Sequence, residues 1–162
     1  MPRASLDTAT ILAKFMSRDP HQVWEAAHAA IRAPRHEQLL LVPDLPVIRQ
    51  ATQGLDLGGA LFPNTQHLEH ALRVLEAARD GRCTCEVYPA WLFYDPIEEA
   101  AVGAAEILST SAPDWNMIYE CRCLMCGRTY EVEQGEYHYT WWQWRERPAA
   151  GAASANAPAT TA

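Results

Sequence analysis

All five cysteines of the chain fall in two short clusters, Cys83-Thr84-Cys85 and Cys121-Arg122-Cys123-Leu124-Met125-Cys126. Thiolates are soft metal ligands. A Cys-x-x-Cys-Gly turn presents two sulfurs to one ion, because a glycine such as Gly127 takes positive φ without steric cost. In a reducing compartment an odd number of clustered cysteines reads as metal ligation before it reads as a disulfide framework. A structural zinc site takes four ligands, so five thiols compete for four places. The expected set is Cys83, Cys85, Cys123 and Cys126, with Cys121 spare. Cys121 and Cys123 stand two apart on an extended segment and can point to the same side, so replacement of Cys83 or Cys85 by Cys121 stays open. The ion is read as zinc, with iron as the other thiolate-binding candidate, and a redox dithiol is a competing chemistry.

Other chemistry-bearing residues are sparser. His67-Leu68-Glu69 together with Cys123-x-x-Cys126 resembles the His-x-Glu and Cys-x-x-Cys elements of zinc-dependent deaminases. Arg122 stands where that signature has proline, Gly127 and a strand pattern follow instead of a helix, and Cys83 and Cys85 would have no role. His67 and His70, three apart, could share an ion, but beside Glu69 on an amphipathic helix they are expected to be solvated. No histidine forms a triad with a nucleophile, so no catalytic residue is assigned and the chain is expected not to be an enzyme.

The elements that must carry the cysteines follow from periodicity and punctuation. Leu6 to Met16 is expected to be a short helix capped by Ser5 or Asp7, with Ala9, Ile11, Leu12, Phe15 and Met16 on one face. Asp19-Pro20 starts a second helix, with Val23, Trp24, Ala27, Ala30 and Ile31 on its stripe, and Pro34 ends it. Glu37 to Val42 reads as a buried strand, and Val47 to Thr52 as a short helical piece in a turn-rich stretch. Asn64 or Thr65 caps a long helix to about Arg79, buried through Leu68, Ala71, Leu72, Leu75 and Ala78; Asp80-Gly81 then delivers the chain to Cys83. Glu86 to Tyr94 reads as a strand pair or a covering loop.

Asp95-Pro96-Ile97-Glu98 predicts a helix to about Leu108 despite Gly103. Alternation through Trp115, Met117, Tyr119, Cys121 and Cys123 predicts a strand feeding the Cys-x-x-Cys turn. Thr129 to Glu133 and the aromatic stretch Tyr137 to Arg145 complete a three-stranded antiparallel meander. Tyr137, Tyr139 and Trp141 would share one face of the last strand; His138, Trp142 and Trp144 would share the other. Such a strand could stack nucleobases, but Glu131, Glu133 and Glu136 would repel phosphates, so it is read as buried structure. Pro148 to Ala162 carries no large apolar side chain and reads as a disordered tail.

The sequence therefore predicts an α+β fold, N-terminal helices with a C-terminal antiparallel meander, in one domain over residues 1–147. In two respects residues 115–145 plus the first cysteine pair resemble zinc-ribbon proteins: the Cys123-Leu124-Met125-Cys126-Gly127 knuckle and the strands on either side of it. The Cys-x-Cys spacing and the long interval 86–122 depart from that pattern. The resemblance implies a structural ion held by both pairs in a part spanning about residues 83–145.

Charge bounds the partners. The chain has 13 Lys and Arg against 20 Asp and Glu, a net of −7, which opposes a nucleic-acid backbone and favours a basic protein partner. No apolar run reaches the length of a membrane span, and Asp7 and Lys14 interrupt the only N-terminal candidate for a signal peptide, so a cytoplasmic protein is expected. By general character the reading is a small bacterial protein-binding module, an immunity protein neutralising a toxin. A deaminase-type enzyme and a zinc-ribbon nucleic-acid adaptor are the alternatives.

Overall fold

Asp-Pro pairs open two helices as the sequence requires. In the computed structural model, which describes residues 7–149, the Asp19 side chain accepts from the backbone N–H of Gln22 at 2.9 Å and the Asp95 side chain from that of Ile97 at 2.8 Å. Each satisfies a donor that a helix start leaves open. The described residues form six α-helices followed by a four-stranded antiparallel sheet, an α+β arrangement with helices first and strands last. The chain divides into two compact units, Met1–Trp91 and Leu92–Ala162.

The first unit holds α1 (Thr8–Met16), α2 (Pro20–Arg32), α3 (Arg35–Leu41), α4 (Leu45–Thr52) and α5 (Asn64–Arg79). The small residues Ala26, Ala27 and Ala30 of α2 and Ala71, Ala77 and Ala78 of α5 are all buried, which lets two helix backbones approach closely. Ile11, Phe15, Val23, Leu41, Ile48 and Leu75 fill the space around them. Asp7 is the α1 cap; Ser5 and Leu6, also assigned to that helix start, lie outside the described residues.

The expected strand at Glu37 to Val42 is a helix. Pro34 is extended and its carbonyl accepts from the N–H groups of Glu37 and Gln38, and the buried positions are Gln38 and Leu41, three apart. Leu39 and Leu40 face solvent. A four-residue apolar run carries no period, and the proline start decided the outcome. Gln38 is buried because its amide donates to the carbonyls of Ala30 and Ile31 at 3.2 and 3.5 Å, closing the end of α2. Residues 86 to 94, expected as strands or a covering loop, begin instead within a 3-10 helix, Thr84–Ala90.

The second unit holds α6 (Pro96–Ala101) and strands β1 (Ala105–Thr110), β2 (Met117–Cys123), β3 (Thr129–Glu136) and β4 (Thr140–Glu146) in the order β1-β2-β3-β4. The expected helix to Leu108 stops early, because Gly103 takes φ 74° and Ala104 donates back to Glu99 at 2.9 Å, a helix-ending turn. Released there, residues 105–110 add a fourth strand to the expected three, pairing with β2 through Ala105 opposite Cys123. The last strand begins at Thr140, so Tyr137 and His138 lie in a turn.

One face of the sheet buries Tyr119, Cys121, Tyr130, Val132 and Trp144, and the Trp144 indole donates to the Tyr94 carbonyl at 2.8 Å. The opposite face is a charge lattice in which Arg122 meets Glu106, Arg145 meets Glu133, and Arg147 bridges Glu120 and Glu131. The assigned disordered tail lies outside the described residues from 150 onward. No helix among the described residues is long and apolar enough to cross a membrane.

Candidate metal centre

Each cysteine pair sits where a helix or strand has just ended. At the end of α5, Gly81 adopts φ 66°, and the N–H of Arg82 returns to the Ala77 carbonyl at 2.9 Å. The Arg35 guanidinium donates to the carbonyls of Ala77 and Arg82, which pins the chain one residue before Cys83. Cys83 is extended and opens the 3-10 helix Thr84–Ala90, its carbonyl accepting from Glu86 at 3.1 Å. Cys85, inside that tight helix, is buried, whereas Cys83 is half-buried.

The second pair rides on the β2–β3 connection. Cys123 is the last residue of β2 and is buried. Its N–H donates to the Arg128 carbonyl at 2.8 Å, its carbonyl accepts from Gly127 at 2.9 Å, and Leu124 donates to Ala104 at 3.1 Å. Gly127 takes φ 77°, the left-handed conformation that glycine adopts without penalty, so the turn closes and Cys126 comes round toward Cys123. Cys126 is exposed, as are its neighbours Leu124 and Met125.

The ligand atoms of Cys83, Cys85, Cys123 and Cys126 all lie within 4.8 Å of one another. Four thiolates about 2.3 Å from a common ion stand about 3.8 Å apart in a regular tetrahedron. The cluster matches that size and donor chemistry, so these four cysteines could hold a metal ion. Cys121 is not in the cluster: it is fully buried, and burial pushes its thiol up to about 12. Two-residue spacing on β2 did not bring it to the same point as Cys123.

The histidines depart from expectation. His67 and His70 are both buried, because the covered face of α5 is wider than the aliphatic stripe alone. They join a group of rings with Trp24 and His28 of α2, Phe62 and Trp91. His28 and His67 have ring centres 4.4 Å apart, His70 stacks on Trp91 at 5.1 Å and 7°, and the Trp91 indole donates to His67 Nδ1 at 3.1 Å. Burial lowers the His67 imidazole to about 4. Burial first, then the charges of Arg73, His67 and Arg32, lower that of His70 to about 3. Sequence reasoning missed this group, although the ring-bearing pairs Trp24 and His28, four apart, and His67 and His70, three apart, marked two helix faces that could meet. Among the described residues the four cysteines are the one group of three or more His, Cys, Asp or Glu side chains placed to hold an ion. No protein-family model, curated protein or solved structure matches this chain.

Proposed function

We propose that the four cysteines bind one zinc ion as a structural clasp, in a non-catalytic module that works by binding another protein. The observation that carries this reading is the convergence of four sulfurs within 4.8 Å. Four thiolates fill a tetrahedral shell and leave no open position for a water or substrate, which is the arrangement of structural zinc sites. Ligation would close the loop of chain between Cys85 and Cys123, and structural zinc contributes on the order of 10 kcal/mol to folding in small domains. Chelation tests this directly. Hydrogen exchange should accelerate across residues 83–90 and 117–130 when the ion is stripped; unchanged protection in both segments defeats the structural role.

For the partner, the net charge of −7 favours a basic surface. Within that class we read the chain as a bacterial immunity protein that neutralises a basic toxin. A stable complex with the product of an adjacent toxin gene supports this, and salt-sensitive binding to nucleic acid in its place overturns it.

A further inference from the structure

The second unit carries two exposed aromatic side chains at one end of its sheet. In a β1-β2-β3-β4 meander, the β1–β2 loop, residues 111–116, and the β3–β4 turn, residues 137–139, emerge at the end opposite the Cys123–Gly127 knuckle. Trp115 is 83% and Tyr137 78% exposed, where such rings are ordinarily covered. Both are held by built loops. Ser111 closes the first through Ser111 N–H to the Ile118 carbonyl at 2.8 Å and Ile118 N–H to Ser111 Oγ at 2.9 Å, while Asn116 donates to Glu133 at 3.2 Å. The second is anchored by Tyr139, half-buried against Phe93 at 5.5 Å, and the Tyr137 ring packs edge-on against His138 at 4.2 Å.

The charges beside these rings single out the occupant. Glu131 and Glu133 on the sheet face are matched by Arg147 and Arg145. Asp114 and Glu136, which flank Trp115 and Tyr137 in sequence, are both exposed, and no ion pair engages either among the described residues. An exposed electron-rich ring and an exposed carboxylate at the same short loop offer two attractions to a guanidinium or ammonium group: a ring face attracts the cation and a carboxylate pairs with it. Phosphates would be repelled at the same place.

We propose that Trp115 and Tyr137, with Asp114 and Glu136, form a docking tip for an arginine-bearing segment of a protein partner. This rests on the protein-binding reading above and names the surface that would perform it. It does not depend on the Cys123–Cys126 turn, which lies at the other end of the sheet. The test uses the full chain and a fluorescein-labelled peptide of about ten alternating arginine and serine residues, read by anisotropy beside a glutamate–serine peptide and oligothymidylate. Binding of the arginine peptide is expected. The double variant Trp115→Ala, Tyr137→Ala should weaken it about tenfold, with each single variant intermediate, and Asp114→Asn with Glu136→Gln should weaken it and flatten its salt dependence. Metal content and circular dichroism of these variants should match the parent, because the altered side chains are exposed. Equal binding of the arginine peptide by parent and aromatic variants overturns the proposal, as does its failure to bind the parent. Oligothymidylate binding that disappears in the aromatic variants would assign the tip to nucleic acid instead. Loss of the clasp on chelation studies would leave this outcome untouched, and loss of peptide binding would leave the clasp untouched.

Discussion

Acid should weaken the first unit through two buried imidazoles, by an amount that follows from their surroundings. His67 Nδ1 accepts the Trp91 indole N–H and can do so only while that nitrogen is unprotonated. His70 lies flat against Trp91, with Arg73 and Arg32 adding repulsion to a proton. Their folded values, about 4 and about 3, lie below the unfolded value of about 6.5. A base whose value is depressed by folding contributes fully above its unfolded value and loses that contribution as pH falls. At about pH 5 the unfolded imidazoles are protonated and the folded ones still neutral. The loss is then about 1.36 kcal/mol for each of roughly 1.5 pH units, about 2 kcal/mol per histidine and about 4 kcal/mol together. Hydrogen exchange of α5 peptides, corrected for the intrinsic pH dependence, reads this as a fall in opening free energy between about pH 7.5 and about pH 5. His70→Phe keeps a ring against Trp91 and removes one titration, so it should recover about half of the fall. An α5 opening free energy that does not change with pH, or a His70→Phe slope equal to that of the parent, refutes the reasoning.

Two further outcomes follow from packing. A Cβ at Gly135 would stand 2.1 Å from the Trp141 ring, which lies across the β3–β4 pair; Gly135→Ala should therefore cost about 1–3 kcal/mol in thermal or urea unfolding, and an unchanged transition argues that the ring moves freely. Cys121 is buried outside the sulfur cluster, so Cys121→Ala should lower stability by about 1 kcal/mol while elemental analysis finds the same metal content; loss of metal would place Cys121 among the ligands.

The fold was legible wherever a local signal was strong. Asp19-Pro20 and Asp95-Pro96 set helix starts with their own side chains, and the alternation from Met117 to Cys123 set a strand with one buried face. Legibility failed where the decision was made at a distance or by a single residue. The run Leu39-Leu40-Leu41-Val42 has no period of its own, and the turn of chain at Pro34 made it helical. Gly103 ended α6 and freed β1, which its own sequence scarcely announces. At the candidate centre, clustering and the Cys-x-x-Cys-Gly knuckle led to the set Cys83, Cys85, Cys123 and Cys126; what spacing left open was whether Cys121 replaced Cys83 or Cys85, since that depends on where β2 carries its side chains in space. The burial of His67 and His70 was hidden for the same reason: a helix face shows its rings in sequence, but not the helix that covers them.

The central claim is that four thiolates, and only those four, hold one zinc ion. Elemental analysis of the purified chain and its single Cys→Ser variants tests it most directly. Cobalt substitution gives a second readout, because the sulfur-to-cobalt absorption scales with the number of thiolates bound. The account predicts about one zinc per chain in the parent, retention in Cys121→Ala, and loss or weakened binding together with a reduced cobalt–thiolate band in each of Cys83→Ser, Cys85→Ser, Cys123→Ser and Cys126→Ser. A parent chain that binds no metal, or one in which Cys83→Ser and Cys85→Ser leave the zinc content and the cobalt spectrum unchanged, would contradict it.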